Sequence, residues 1–127
     1  MPSYSIPAPK RLVQAIEPST LTVTFSTGTS GGASARAEFS PSRGYFVPKL
    51  LKITSDSEVM GEVRVVINGV EYTMLKIDEN SVRDVDVNAS YGEILADKII
   101  LVGTVKTTTT ALRKVSLNYC GGVFDYR

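Results

Sequence analysis

Few residues in this chain are equipped for chemistry. It has no histidine and no tryptophan, and Cys120 is its only cysteine. Without histidine, the commonest general base and metal ligand are both missing, and Ser-His-Asp and Cys-His nucleophile systems are excluded. Zinc would need several Cys or His ligands. No S-x-x-K pattern favours a Ser-Lys pair. Among 13 acidic residues, a carboxylate pair at hydrolytic spacing would arise by chance. Asp56, Asp78, Asp84 and Asp86 lack the calcium-loop spacing of an EF-hand and read as the wet side of strands. The stretch Thr27 to Ser34 (TGTSGGAS) is rich in Gly but matches neither phosphate-loop pattern, and no helix follows it. It reads as a mobile loop. We therefore assign no catalytic, metal-binding or cofactor-binding residue and expect no cofactor and no enzyme.

Aromatic and basic side chains leave a little more room. A tyrosine face can stack on a sugar. Tyr72 and Tyr119 fall on apolar registers, so Tyr45 and Tyr91, both near loops, are the candidates for ligand stacking. Arg11, Arg36 and Arg43 are the nearest thing to a basic patch. The net charge is +1, with 14 basic residues against 13 acidic and no block of either sign. Neither nucleic acid nor an anionic membrane is favoured as a partner. Cys120 rules out an intrachain disulfide and reads as a small buried hydrophobe.

These residues must be carried by strands. The chain has 127 residues, 43% of them hydrophobic, which suits one soluble domain. Gly61 to Leu75 (GEVRVVINGVEYTML) is a hairpin, because Asn68-Gly69 supplies the two left-handed positions of a type I′ turn. A two-residue turn pairs Ile67 with Val70, Val65 with Tyr72 and Val63 with Met74, all on one face. The other face then carries Glu62, Arg64, Val66, Glu71, Thr73 and Leu75. Leu21 to Ser26 alternates cleanly and is a half-buried strand. Arg36 to Phe39, Tyr45 to Thr54, Arg83 to Val87, Lys98 to Thr107 and Ala111 to Tyr119 also read as strands.

Prolines and glycines punctuate them. Pro18 ends the segment Leu12 to Ile16, read as a short strand or a helical turn. Pro48 marks an edge or a bulge, and Gly121-Gly122 breaks the last long strand. Gly103 marks a bulge or a close backbone approach. Lys98 to Thr107 is apolar on both faces, which suits a central strand. Asn88 to Asp97 is a loop with a helical turn near Glu93 to Ala96. No amphipathic helix of about ten residues appears. The fold class is therefore all-β: a two-sheet antiparallel β-sandwich of seven to nine strands, with jelly-roll or Greek-key connectivity. Residues 1–11, with Pro2, Pro7 and Pro9, form an extended N-terminal arm. Residues 12–127 form the single sandwich domain.

The run Leu95-Ala96-Asp97-Lys98-Ile99-Ile100-Leu101, the threonine turn after it and the closing strand Val115 to Tyr119 resemble small β-sandwich structural proteins of viruses and phages. These are decoration, head-fibre, turret and other jelly-roll virion components. The resemblance spans residues 45–123, rests on layout, and carries no functional residue. It implies a structural protein that self-associates and contacts other virion or assembly proteins. The expected subunit-interface residues are Tyr4 and Ile6 on the arm and Val66 and Leu75 on the outer face of the hairpin. The alternative is a carbohydrate-binding module with a glycan partner. The opening MPSYSIPAPKRL lacks a signal-peptide layout, and no apolar run nears the roughly 18 residues of a membrane helix. The expected location is the virion if the protein is viral, and otherwise the cytoplasm.

Overall fold

The computed structural model describes residues 10–55, 60–78 and 82–126. The strands are β1 (Lys10–Phe25), β2 (Ser34–Phe39), β3 (Tyr45–Ser55), β4 (Met60–Ile67), β5 (Val70–Asp78), β6 (Val82–Asp86), β7 (Ile99–Val105) and β8 (Arg113–Tyr126), with one short helix, α1 (Val87–Tyr91). They form two four-stranded sheets, in the orders β1-β8-β3-β6 and β2-β7-β4-β5. Every pairing is antiparallel. β1 pairs β8, β2 pairs β7, β3 pairs β6 and β4 pairs β5. This is a ribbon folded at the β4–β5 turn and rolled so that successive pairs alternate between sheets, a jelly-roll-like order. The all-β sandwich expected from the alternating strands is what forms.

The core lies between the sheets. Val23, Phe25, Leu51, Ile53, Val115 and Leu117 face inward from the first sheet, and Val63, Val65, Ile67, Ile99 and Leu101 from the second. Phe46, Phe39 and Tyr119 close one end. Phe46 meets Phe39 edge-on at 5.2 Å and Tyr119 edge-on at 5.8 Å. β7 is central, as its two apolar faces suggest, with Ile99, Leu101 and Val105 inward and Ile100 and Val102 half-buried outside.

The hairpin turn forms as expected, with φ of 53° at Asn68 and 77° at Gly69. Its register does not continue. Ile67 pairs Val70 and Val66 pairs Glu71, but Arg64 then pairs Lys76 and Val63 pairs Ile77. Two residues of β4 are matched by five of β5. The offset is odd, so the face is inverted beyond it. Leu75 and Ile77 therefore point into the core, at 0% and 4% exposure, while Val70 on this edge strand is half exposed. Tyr72 leaves the β4 ladder and packs edge-on against Tyr91 of α1, ring centres 4.7 Å apart. The side chain of Met74 lies outside the described residues.

Other boundaries also move. β1 begins at Lys10, inside the segment expected to be arm, and runs through Pro18. It can do so because β1 is an edge strand. Pro18 sits in a bulge between Ile16 and Ser19, where no ladder bond is lost. Pro48 sits where the β3–β8 register shifts, the bulge expected there. β8 passes unbroken through Gly121-Gly122. The helical turn lies at Val87–Tyr91, earlier than expected, because the Asp86 carboxylate accepts a hydrogen bond from the Ala89 amide at 3.1 Å and caps it. Gly103 is approached by side chains, not backbone. A Cβ there would lie 3.4 Å from both the Phe25 ring and a Val115 methyl.

The Thr27 to Ser34 loop is held, contrary to expectation. Thr109, which is buried, accepts from the Thr29 amide through its hydroxyl at 2.9 Å and donates to the Ser26 carbonyl at 2.7 Å. The Gly28 and Gly32 amides donate to the carbonyls of Thr109 and Val105.

Gly121 is required by packing. A Cβ there would overlap the Val47 carbonyl oxygen and stand 3.0 Å from the Phe46 ring. Gly69 needs only its positive φ, with open space around it. Gly121→Ala is expected to cost about 3 kcal/mol, an overpacked core with shifted backbone. Gly69→Ala is expected to cost about 1 kcal/mol, the strain of a left-handed Ala. Urea unfolding midpoints of the two variants would test this order, and equal losses would refute it.

Candidate functional site

Each sheet has an outer face, and the two differ. On the second sheet, Val66, Ile100 and Val102 lie side by side, because Val66 pairs Ile100 and Arg64 pairs Val102. Charged side chains frame them. Arg64 reaches Glu62 at 3.2 Å and Glu71 at 3.0 Å, Lys76 reaches Glu62 at 3.1 Å, and Lys98 lies 3.7 Å from Glu38. Their aliphatic stems cover the three apolar residues, which are only half exposed. Val66 is on the outer face as expected, but inside this charge lattice. Leu75, expected beside it, is in the core.

The outer face of the first sheet is divided lengthwise. The registers set Leu12, Phe124 and Tyr45 in one row, Ala15, Gly122 and Val47 in the next, and Cys120 and Leu50 in the one after. Beyond these come Thr20, Asn118, Lys52 and Asp84, then Thr22, Ser116 and Thr54. One half of the face is thus apolar and the other is hydroxyl and amide, tied by a Thr20–Asn118 hydrogen bond at 2.8 Å. Leu12 and Leu50 are 55% and 48% exposed, and Tyr45 is 37% exposed. Isolated exposed apolar residues are ordinary, but a contiguous set marks an interaction surface.

A groove of about 500 Å³ runs through the apolar half, lined by Leu12, Ile16, Val47, Gly122 and Phe124. Gly122 forms its floor. A Cβ there would stand 2.9 Å from the Phe124 ring and 3.0 Å from a Leu12 methyl, so those two side chains occupy the space a larger residue would take. A second groove of about 580 Å³ lies between Pro18, Leu50, Tyr119 and Cys120. Cys120, half-buried, lines both. Burial pushes the Tyr119 phenol above its ordinary range, and a hydrogen bond to Ser19 opposes this.

The other sequence candidates are scattered. Tyr4 and Ile6 lie outside the described residues. Tyr45 is at the rim of the apolar half-face, while Tyr91 is half-buried against Tyr72 and offers no free stacking surface there. The two are not brought together. Arg43 is paired with Asp125 at the β2–β3 turn, and Arg36 is on the other sheet. Asp86 is engaged as a helix cap, and Asp84 lies opposite Lys52. Among the described residues, no three His, Cys, Asp or Glu side chains form a group able to hold a metal ion. No helix among them is long and apolar enough to cross a membrane. Sequence reading missed Leu12, Val47, Leu50 and Phe124. The available signal was Tyr45 to Leu51, where apolar residues occupy both parities of one strand.

No protein-family model matches the chain, and no curated protein matches it. Solved structures similar to it include the major capsid protein of bacteriophage PM2, at 14% identity and a TM-score of 0.40, covering 81% of this chain and 44% of that one. The chain thus spans less than half the length of that capsid protein. The coat protein of Tobacco streak virus is 14% identical with a TM-score of 0.34, over 81% of this chain and 87% of that one. A carbohydrate-binding module solved with calcium and xylotriose is 10% identical with a TM-score of 0.32, over 92% and 99%. These likenesses are of β-sandwich layout and transfer no residue role.

The charge lattice has a pH signature. The Lys76 hydrogen bond holds the Glu62 carboxyl below its usual range; partial burial opposes this and Arg64 adds to it. A depressed carboxylate contributes stability above its unfolded pKa, about 4.3, and loses it as pH falls through the lower folded value. Its side chain is 34% exposed, so solvent screening keeps the contribution below about 1 kcal/mol. Wild type is expected to exceed Glu62→Gln in stability at pH 7, with the gap closing by about pH 3. Urea midpoints at both values would test this, and a gap independent of pH would refute it.

Proposed function

We propose that this protein is a non-enzymatic structural component that self-associates through the apolar half of the β1-β8-β3-β6 face. The observation that carries the reading is the contiguous exposed set Leu12, Val47, Leu50 and Phe124, set against the ion-paired outer face opposite. The sheet edges support a contact made by faces. β1 carries Pro18 and two register shifts, β6 is five residues long with Arg83, Asp84 and Asp86, and β2 presents Arg36 and Glu38. Such edges resist strand addition. We assign the role to a virion or capsid-associated assembly on the layout resemblance of residues 45–123. Partners are then further copies of the chain and other assembly proteins. Glycan stacking has weaker support, because Tyr45 stands at the surface without a second platform beside it.

Leu50→Asp places a charge in the half-face without touching the core. It is expected to raise the self-association Kd about tenfold or more, roughly 1.4 kcal/mol, with the unfolding midpoint little changed. Val66→Lys, in the charge lattice, is expected to leave association intact. Sedimentation equilibrium on the three proteins would decide. A wild-type chain that stays monomeric at high concentration would overturn the reading.

A further inference from the structure

We infer that the groove between Leu12, Val47 and Phe124 is the seat of an extended segment from a second copy, residues Pro2 to Pro9. This rests on the self-association reading above. The groove is apolar and unbranched at its floor, because Gly121 and Gly122 present backbone where other residues would present side chains. It suits a narrow occupant with small or flat apolar side chains. Lys49 and Glu93 are its charged lining residues. Residues 1–9, MPSYSIPAP, contain no charged side chain and offer Tyr4, Ile6, Ala8 and three prolines.

Length agrees. The groove follows β8 from Cys120 to Phe124, about 13 Å at the rise of a strand. Nine residues precede Lys10. In an extended proline-rich chain they span about 28 Å, enough to leave one molecule and lie along another.

Geometry selects the second copy over the chain's own groove. β1 itself lines the groove with Leu12, Ala15 and Ile16, so the segment would have to double back to enter it. Ile6 and Ala8 each precede proline, which disfavours the turn-forming α region at both, and Pro7 and Pro9 have fixed φ. Four consecutive residues restricted to extended conformations do not reverse a chain. The course that the sequence favours continues β1 outward, away from its own groove.

Cys120 makes the inference testable in the full chain. Being the only thiol and a lining residue of the groove, it reports what lies there. Tyr4→Cys, Ile6→Cys and Ala8→Cys would each be oxidised mildly and run on non-reducing gels, with Cys120→Ser added to each as control. Mixed light and 15N-labelled protein would separate links between chains from links within one. The expected result is a shift of at least one variant from one-chain to two-chain mass, with a mixed-isotope peptide joining the new cysteine to Cys120. Loss of that shift with Cys120→Ser is expected. A link within one chain would overturn the exchange. Absence of any link, in a protein that still associates, would overturn the occupant but leave self-association standing. A monomeric wild-type chain would overturn both.

Discussion

The packing of Phe46 over Gly121 is the constraint on which much of the molecule depends. The ring is fully buried and reaches the position a Gly121 side chain would need. It draws Phe39 of one sheet and Tyr119 of the other into an aromatic cluster that seals this end of the sandwich. Phe46 is also fixed through its backbone, exchanging hydrogen bonds with Ala96 at 2.9 and 2.8 Å. That exchange brings the segment before β7 against β3, where β6 no longer pairs. Just beyond, Pro48 lacks a donor and the β3 register slips against β8. The outward consequence is the groove. A strand kept bare for the core at Gly121 continues bare at Gly122 on the surface.

Asn68 links the other end of the same segment. Besides forming the turn, its side chain donates to the Leu95 carbonyl at 2.7 Å and accepts from the Asp97 amide at 2.8 Å. Two clamps, Asn68 and Phe46, thus hold residues 95–97 in place before they enter β7. Since β7 is central in its sheet, the β4–β5 turn helps position the strand around which that sheet is built. Replacing the Asn by another residue able to adopt positive φ would preserve the turn but not these hydrogen bonds.

Much of the architecture was legible because alternation is a local signal. Leu21, Val23 and Phe25, or Ile99, Leu101 and Val105, declare their inward face without reference to a partner. What escaped depends on partners. The odd offset between β4 and β5 inverts Leu75, and nothing within the hairpin sequence announces it; the cause involves Tyr91, distant in the chain and packed on Tyr72. Pro18 and Gly121-Gly122 read as strand breaks because propensity treats each strand alone. An edge position tolerates the first, and the neighbouring Phe46 ring demands the second pair's leading glycine. Thr109 looked like one threonine among four, and only its burial beside Ser26 and Thr29 distinguishes it. The apolar half-face was hidden similarly. Bulges beside Val13 and Lys49 shift parity, so Leu12, Val47 and Leu50 share a face without sharing a simple period.

The two outer faces follow from one physical requirement applied differently. A sheet face open to water is stabilised by side chains that remain hydrated, and on β2-β7-β4-β5 the long charged residues do this while covering Val66, Ile100 and Val102. The apolar half of β1-β8-β3-β6 has no such cover, since glycines and bulges leave too few positions for long side chains. Covering it with a flat partner alone would leave the groove as a void, and atoms lining a void forfeit their dispersion contacts. A stable contact therefore needs an insert as well as a face. An insert already stiffened by proline loses less conformational freedom on ordering than a flexible one. A chain with a bare groove beside its first strand and a proline-spaced segment before that strand carries both halves of such a contact.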